Sequence, residues 1–334
     1  VKSVARRHPM GFEVPVQKTR SALGKSLRDI QSGIPMKAEA CIRLMSAVES
    51  DLFLVVFGET HRAGHILWPE TGNAHSNVPD GAIMEVYEAL DTAIGRVVGH
   101  VGDDTTIVLF SLHGMGPNRS QSQLSADMLR VALGEMPEAE TGEHFGLVRA
   151  LRRGIPVGLQ LAIANGVPTF VRDFVLAREI AGGRDWPSTH AISLDGDMSG
   201  YWRANACGRE AKGAVSDLYP FVEKVAEEFL RFTTDGGCPL VKTIHLPTRD
   251  WHGSRVAMLP DIVAEWSTEL TSVETAVHPS GARLFAHPSK GRTGNHKFQG
   301  FCAVRMTRGS QPDLPNHIKD IGELARNLLK VHSA

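Results

Sequence analysis

Two histidines four residues apart carry the clearest chemical signal in this chain. His61 and His65 lie in the segment DLFLVVFGETHRAGHILWP, residues 51–69. In a helix, side chains at positions i and i+4 share one face, so both imidazoles can reach a single metal ion. The alternative is a pair of solvated surface histidines, because this spacing also arises by chance. The spacing alone does not separate a metal site from a surface pair.

The residues around these histidines predict how they are positioned. The apolar run 52–57 is typical of a buried strand of a parallel sheet, and residues 105–111 predict a second such strand. Between them, residues 81–100 predict an amphipathic helix with Asp80 as its N-cap. His113 follows the second strand in a glycine-rich turn. Parallel strands end at the same edge of a sheet, so we expect His113 to lie close to His61 and His65.

The rest of the chain is predicted to alternate helices and strands around this edge. We expect helices over 36–50, near 123–134, and over 216–234 and 316–332. Strands are expected within 200–213, 238–250, 258–266 and 301–306. The predicted fold is α/β, with a mostly parallel central sheet flanked by helices. Residues 1–50 are assigned to an N-terminal extension or remnant, 51–334 to the core, and 117–199 to an inserted cap over the site.

Composition excludes several classes of protein. Lys+Arg is 36 and Asp+Glu is 37, so the net charge of −1 gives no basis for binding nucleic acid or an anionic membrane. No apolar run approaches the roughly 18 residues of a membrane span. The N-terminal residues do not resemble a secretory signal. Four scattered cysteines favour free thiols over a disulfide framework, and we expect a cytoplasmic protein.

Four stretches resemble the alkaline phosphatase superfamily, in its type I phosphodiesterase / nucleotide pyrophosphatase-like branch. They are FGETHRAGH (57–65), SLHGMG (111–116), GYWRANACGREAKGAV (200–215) and GRTGNHKFQGFCAV (291–304). The resemblance implies an alkaline phosphatase-like core and a metal-dependent hydrolase of phosphate esters or diesters, acting on a small molecule. It also implies that His296 joins His61 and His65 at one metal.

The chain departs from the family pattern at several ligands. The family carries its nucleophilic Ser or Thr and a first metal-binding Asp in an N-terminal segment, which we expect to be missing here. Position 61 is His and position 112 is Leu where the common pattern has Asp. Only His113 then remains for a second metal. Three histidines and a water form a plausible zinc site, and zinc lowers the pKa of bound water to about 7, supplying a nucleophile without Ser or Thr.

Other side chains are candidates for supporting roles. His113 is expected to act as a catalytic proton-transfer group or a residual ligand. Arg203, Asn205 and Arg209 are candidates for binding the substrate anion, with intramolecular ion pairing as the alternative. Glu59 is a candidate hydrogen-bond partner of a ligand histidine, or else a solvated carboxylate.

Two other functions remain open at this stage. The chain could be a truncated or degenerate superfamily member without hydrolase activity, acting as a binding or accessory protein. It could also use a three-histidine metal for group transfer in a biosynthetic pathway.

Overall fold

The computed structural model describes residues 19–69, 77–137, 185–194, 196, 198–271, 273–286, 292–306 and 312–329. The chain divides into two compact units: Val1–Asn118 with Lys290–Ala334, and Arg119–Ser289. We call them the first and second units. Most of the predicted cap, 117–199, lies outside the described residues. Helices and strands are mixed, as expected for an α/β chain. Within the described part of the chain, no helix has the length and apolarity needed to cross a membrane.

Three helices form the core of the first unit: α1 (Arg20–Ala47), α2 (Glu59–Ile66) and α3 (Ala82–His100). Helix α1 begins well before the predicted residue 36, because its apolar spacing continues through Pro35 and the Thr19 side chain caps its first turn. Helix α3 confirms the prediction over 81–100. Its predicted cap is wrong, since Gly81, at φ 72°, occupies the N-cap position. The buried hydrophobic cluster between them contains Leu23, Leu27, Ile30, Ile34, Ala38, Ala63, Ile66, Leu67, Val78, Ala82, Val86 and Ala93.

The strand predicted over 52–57 does not form. These residues belong to no helix or strand, and Leu54 and Val56 are 67% and 72% exposed. Strand β1 (Ile107–Ser111) instead pairs antiparallel with β10 (Phe301–Arg305). The predicted strand–helix–strand unit is therefore wrong. An apolar run gains strand structure only when a partner satisfies its backbone groups, and no ladder partner for 52–57 occurs among the described residues.

The remaining elements of the first unit build a short ladder and a closing helix. Strand β2 (Gly114–Pro117) pairs antiparallel with β9 (Gly294–Lys297). A 3₁₀ turn (Ile318–Asp320) leads into helix α7 (Ile321–Leu328), within the range predicted for the last helix. All four cysteines are free, as predicted.

The second unit contains a four-stranded antiparallel sheet. Its strands lie in the order β3 (Ala191–Leu194), β4 (Ser199–Ala204), β6 (Ile262–Trp266), β5 (Val241–His245). Strands β7 (Thr275–Val277) and β8 (Arg283–Phe285) form a separate pair. The helices described in this unit are α4 (Ser125–Ala132), α5 (Leu218–Leu230) and α6 (Pro247–Asp250), with 3₁₀ turns at Ser122–Leu124 and Val256–Met258. Every strand ladder in the described residues is antiparallel, so a mostly parallel central sheet is not confirmed.

Apolar side chains of α4, α5 and the sheet form the core of the second unit. Trp202, Phe229 and Phe232 are among its largest buried side chains. The Trp202 ring lies 4.2 Å from Phe229, and its indole N–H donates to the carbonyl of Ser125 at 2.9 Å. The aromatic ring therefore packs in the core while its polar atom is satisfied.

A buried carboxylate ties the ends of two strands together in the second unit. Asp261 is fully buried and accepts hydrogen bonds from the Ala204 amide, the Thr248 hydroxyl and both terminal nitrogens of Arg209, at 2.7–2.8 Å. Burial alone would raise the pKa of Asp261. The bonds from Arg209, Thr248 and the Ala204 amide outweigh it and lower that pKa below the ordinary value.

We expect Asp261→Asn to lower the free energy of unfolding by about 3 kcal/mol, because it removes the buried carboxylate that pairs with the half-buried Arg209 charge. A lowered folded-state pKa contributes stability above the unfolded-state pKa and loses it as pH falls through the folded value. The difference between wild type and variant should therefore shrink below about pH 4. Urea denaturation at several pH values measures it. The exposed Asp250→Asn is the matched control and should change little; equal effects would contradict the assignment.

Candidate metal centre

Helix α2 carries two of the predicted ligands. His61 and His65 lie on one face, with ring centroids 4.7 Å apart, and His65 is fully buried. Lys37 on α1 anchors the start of this helix, because its ammonium group pairs with Glu59 at 2.8 Å and donates to the Val56 carbonyl at 3.0 Å. The prediction that His61 and His65 share one face of a helix is therefore confirmed.

The burial of Glu59 answers one of the open alternatives. Its side chain is 4% exposed and forms an ion pair with Lys37, so the interpretation as a solvated carboxylate is wrong. A hydrogen bond from Glu59 to a ligand histidine stays a prediction. The visible effect of the Lys37–Glu59 pair is to fix where α2 begins.

The β2–β9 ladder supplies the other two histidines. His296 lies on β9 opposite Met115 on β2, and His113 directly precedes β2. The Asn295 side chain accepts a hydrogen bond from the His296 backbone amide at 2.8 Å. The prediction that His113 approaches His61 is confirmed, but the reason given for it was wrong. The histidines meet because α2 packs on an antiparallel ladder, and not because parallel strands end together.

Two glycines allow the helix to approach this ladder. A Cβ added to Gly294 would overlap the Gly64 carbonyl oxygen and lie 2.7 Å from the Trp68 Cβ. A Cβ added to Gly64 would lie 2.6 Å from the Met115 side chain. The backbones of α2 and β9 therefore touch where neither residue has a side chain. Sequence reasoning singled out neither glycine, although both lie inside the motifs that carry the histidines.

Four imidazole rings meet in the first unit. The His113 and His296 centroids lie 4.2 Å apart, those of His65 and His296 4.8 Å, and those of His61 and His296 5.0 Å. His61 and His113 are 5.3 Å apart. Nitrogen atoms of His61, His65 and His296 all lie within 4.8 Å of one another, and this is the one metal-ligand group of three found in the described residues.

Backbone carbonyls select the tautomers of two of these rings. The Nδ1 atom of His65 lies 3.0 Å from the Gly294 carbonyl oxygen, and that of His113 lies 3.1 Å from the Gly114 carbonyl oxygen. A carbonyl only accepts, so Nδ1 carries the proton in each ring and Nε2 presents its lone pair. A carbonyl partner on the far ring nitrogen is the usual way in which proteins orient a metal-binding histidine.

Three imidazole nitrogens that lie close together are ligands of the kind that zinc binds in proteins. Zn–N bonds of about 2.0–2.1 Å in a tetrahedron place the ligand nitrogens roughly 3.3 Å apart. The nitrogens of His61, His65 and His296 lie within 4.8 Å of one another, so binding zinc would require them to approach by up to about 1.5 Å. Leu112, which stands where the family pattern has Asp, is 48% exposed and offers no donor atom. The set is therefore made of nitrogen alone.

The predicted anion-binding residues lie in the second unit and are engaged there. Arg203 binds Glu210 at 2.7 Å and the carbonyls of Leu259 and Ala257, while Arg209 binds Asp261. The Asn205 side-chain amide donates to the carbonyls of Trp186, Thr189 and Lys212 at 2.8–2.9 Å. These contacts match the intramolecular pairing left open above, and a role in substrate binding stays a prediction.

Comparison with known proteins gave one match. Residues 13–156 match the family model described as type I phosphodiesterase / nucleotide pyrophosphatase. The resemblance to the alkaline phosphatase superfamily is confirmed, since that family is one of its members. The match includes His61, His65 and His113, whereas His296 lies beyond it. No curated protein and no solved structure matched the chain.

We expect Gly294→Ala to lower the free energy of unfolding by about 2–3 kcal/mol, because the new methyl group meets the Gly64 carbonyl and the Trp68 side chain. Urea denaturation followed by circular dichroism measures this. Gly95→Ala on α3 is the matched control: nothing lies within 4 Å of its added Cβ, so it should stabilise the helix by roughly 0.5–1 kcal/mol. A tolerated Gly294→Ala would contradict the close contact.

Proposed function

We propose that the chain is a metal-dependent hydrolase of phosphate esters or diesters, with zinc held by His61, His65 and His296. The observation that carries this proposal is the meeting of four imidazole rings from three separate stretches of the first unit. The family match supports a hydrolase of the phosphodiesterase and nucleotide pyrophosphatase kind. The proposed substrate is a small phosphate ester, and the proposed location is the cytoplasm, where the four free thiols would persist.

Each histidine has a defined part in this proposal. His61, His65 and His296 hold the ion, and the bond from His65 to Gly294 keeps its Nε2 atom directed toward it. A bound divalent ion polarises a phosphoryl oxygen and makes a coordinated water more acidic. His113 lies beside His296 with its Nε2 lone pair available, so it accepts and returns a proton during hydrolysis.

The charge of the site favours an anionic substrate. Three neutral imidazoles leave the two positive charges of the ion uncompensated, and Glu59, the buried carboxylate at the start of α2, is already paired with Lys37. A phosphate ester supplies the missing negative charge. Arg203, Asn205 and Arg209 keep their carboxylate and carbonyl partners within the second unit, and the proposal for the histidine site does not depend on them.

A binding or accessory role without hydrolysis is the second candidate function. The observation in its favour is Leu112, which is exposed and removes a carboxylate ligand from the family pattern. A chain of this kind would still bind metal and phosphate esters, but it would turn none over. A panel of monoesters, diesters and sulfate esters assayed with saturating zinc separates the two functions.

We expect the purified chain to hold about one zinc ion, and His61→Ala or His296→Ala to reduce this at least tenfold, because two remaining imidazoles bind zinc weakly. Elemental analysis after dialysis against dilute zinc gives the stoichiometry. His100→Ala, an exposed histidine that ends α3, is the control and should retain full metal content. Wild-type protein without metal would remove the basis for the hydrolase proposal.

We expect His113→Ala to retain the metal and to lower the hydrolysis rate about 10²–10⁴-fold, the range typical of lost proton transfer. The pH–rate profile should also lose one limb, which a purely structural change would not cause. Elemental analysis and initial rates on the same preparation test both parts. If His113→Ala loses metal to the same extent as His296→Ala, His113 is a ligand and not a proton-transfer group.

A further inference from the structure

The second unit contains a cavity of about 380 Å³ that the proposed hydrolase chemistry does not use. Its volume lies in the range of small-molecule sites in proteins. The described residues that line it are Trp186, Ile192, Arg203, Ala204, Asn205, Glu210, Ala211 and Lys212. Half of these residues are aromatic or aliphatic, and the others are polar or charged. A largely apolar cavity with a few polar groups is the usual form of a ligand site.

One buried amide holds the walls of this cavity in place. Asn205 is 4% exposed, and its side-chain nitrogen donates to the carbonyls of Trp186, Thr189 and Lys212. It therefore joins the segment before β3 to the loop after β4. Gly213 tightens the same loop, since an added Cβ would lie 2.5 Å from the Ala206 carbonyl oxygen. The cavity is thus preformed, which reduces the entropy lost when a ligand binds.

Among the described residues, the charged side chains around the cavity leave the Lys212 ammonium group without an opposite charge. Glu210 pairs with both Arg203 and Arg209, and Arg209 also pairs with Asp261. The two positive charges of the arginines are thus matched by the two negative charges of the carboxylates. Lys212 also lines the cavity, and its side chain is exposed. Within the described residues, no carboxylate pairs with its ammonium group. An anionic group on a ligand would be its natural partner.

We propose that this cavity binds a small molecule with a planar aromatic ring and an anionic substituent. The ring lies among Trp186, Ile192 and Ala211, where stacking and apolar contact favour a flat group. The anionic substituent pairs with Lys212. Arg203 and Asn205 position the walls and keep their internal partners, which explains why both are fully engaged without a ligand. The site needs neither metal nor the histidine cluster.

Calorimetric titration of the full chain with three compounds tests this proposal. Adenosine monophosphate has both the ring and the charge, adenosine has the ring alone, and inorganic phosphate has the charge alone. All titrations contain a chelator, so that binding through a metal does not contribute. The variants are Lys212→Gln and Trp186→Leu, with Lys242→Gln as the control, because Lys242 is exposed on β5 of the same unit and does not line the cavity.

Adenosine monophosphate should bind, adenosine more weakly, and phosphate weakest. Lys212→Gln should weaken adenosine monophosphate about fivefold to tenfold and leave adenosine unchanged, as expected for one lost charge pair. Trp186→Leu should weaken both by about tenfold through lost stacking. Lys242→Gln should match wild type.

Two results would overturn the proposal. One is no heat of binding for adenosine monophosphate at millimolar concentration; the other is an equal effect of Lys212→Gln and Lys242→Gln. Neither result bears on the histidine cluster, because the chelator removes its metal from every titration.

Discussion

The contact between Gly64 on α2 and Gly294 on β9 is the constraint on which the site depends. At this point the two backbones meet, and the Gly294 carbonyl accepts a hydrogen bond from the Nδ1–H group of His65. One short stretch of β9 thus sets the distance between helix and ladder, fixes the tautomer of a buried imidazole, and places His296 two residues further along. The Lys37–Glu59 pair fixes the other end of the helix. Backbone packing positions the histidines, and the proposed metal chemistry would depend on that packing.

The histidine nitrogens at this site also determine which metal ion it would favour. Zinc accepts nitrogen ligands readily, whereas magnesium and calcium require oxygen, so an all-imidazole set favours the former. With His at 61 and Leu at 112, the carboxylates of the family pattern are replaced at both positions. The site would therefore be more positive than one with carboxylate ligands. That charge would suit the phosphate ester proposed as substrate, and the three histidines grouped by the fold would suffice for one ion.

Residue spacing predicted much of the site and some of the fold, and the failures have physical causes. The i, i+4 histidines, the helix α3 and the thiols followed from local chemistry, and the resemblance supplied His296. The parallel sheet was not confirmed and the strand over 52–57 did not form, because strand pairing is a long-range property: β1 pairs with β10, nearly two hundred residues away, and most of residues 52–57 are exposed. Gly64 and Gly294 were missed because a glycine in sequence does not reveal which backbone approaches it. The Asn205 contacts likewise depend on carbonyls that a motif cannot display.

X-ray absorption at the zinc K-edge, on protein loaded with one equivalent of zinc, tests the central claim most directly. The account predicts a first shell made of nitrogen and oxygen at about 2.0 Å, with outer-shell scattering from three imidazole rings. It also predicts no sulfur ligand, since no cysteine joins the histidine group within the described residues. A shell that contains sulfur, or fewer than two imidazoles, would show that the four rings meet for a reason other than metal binding.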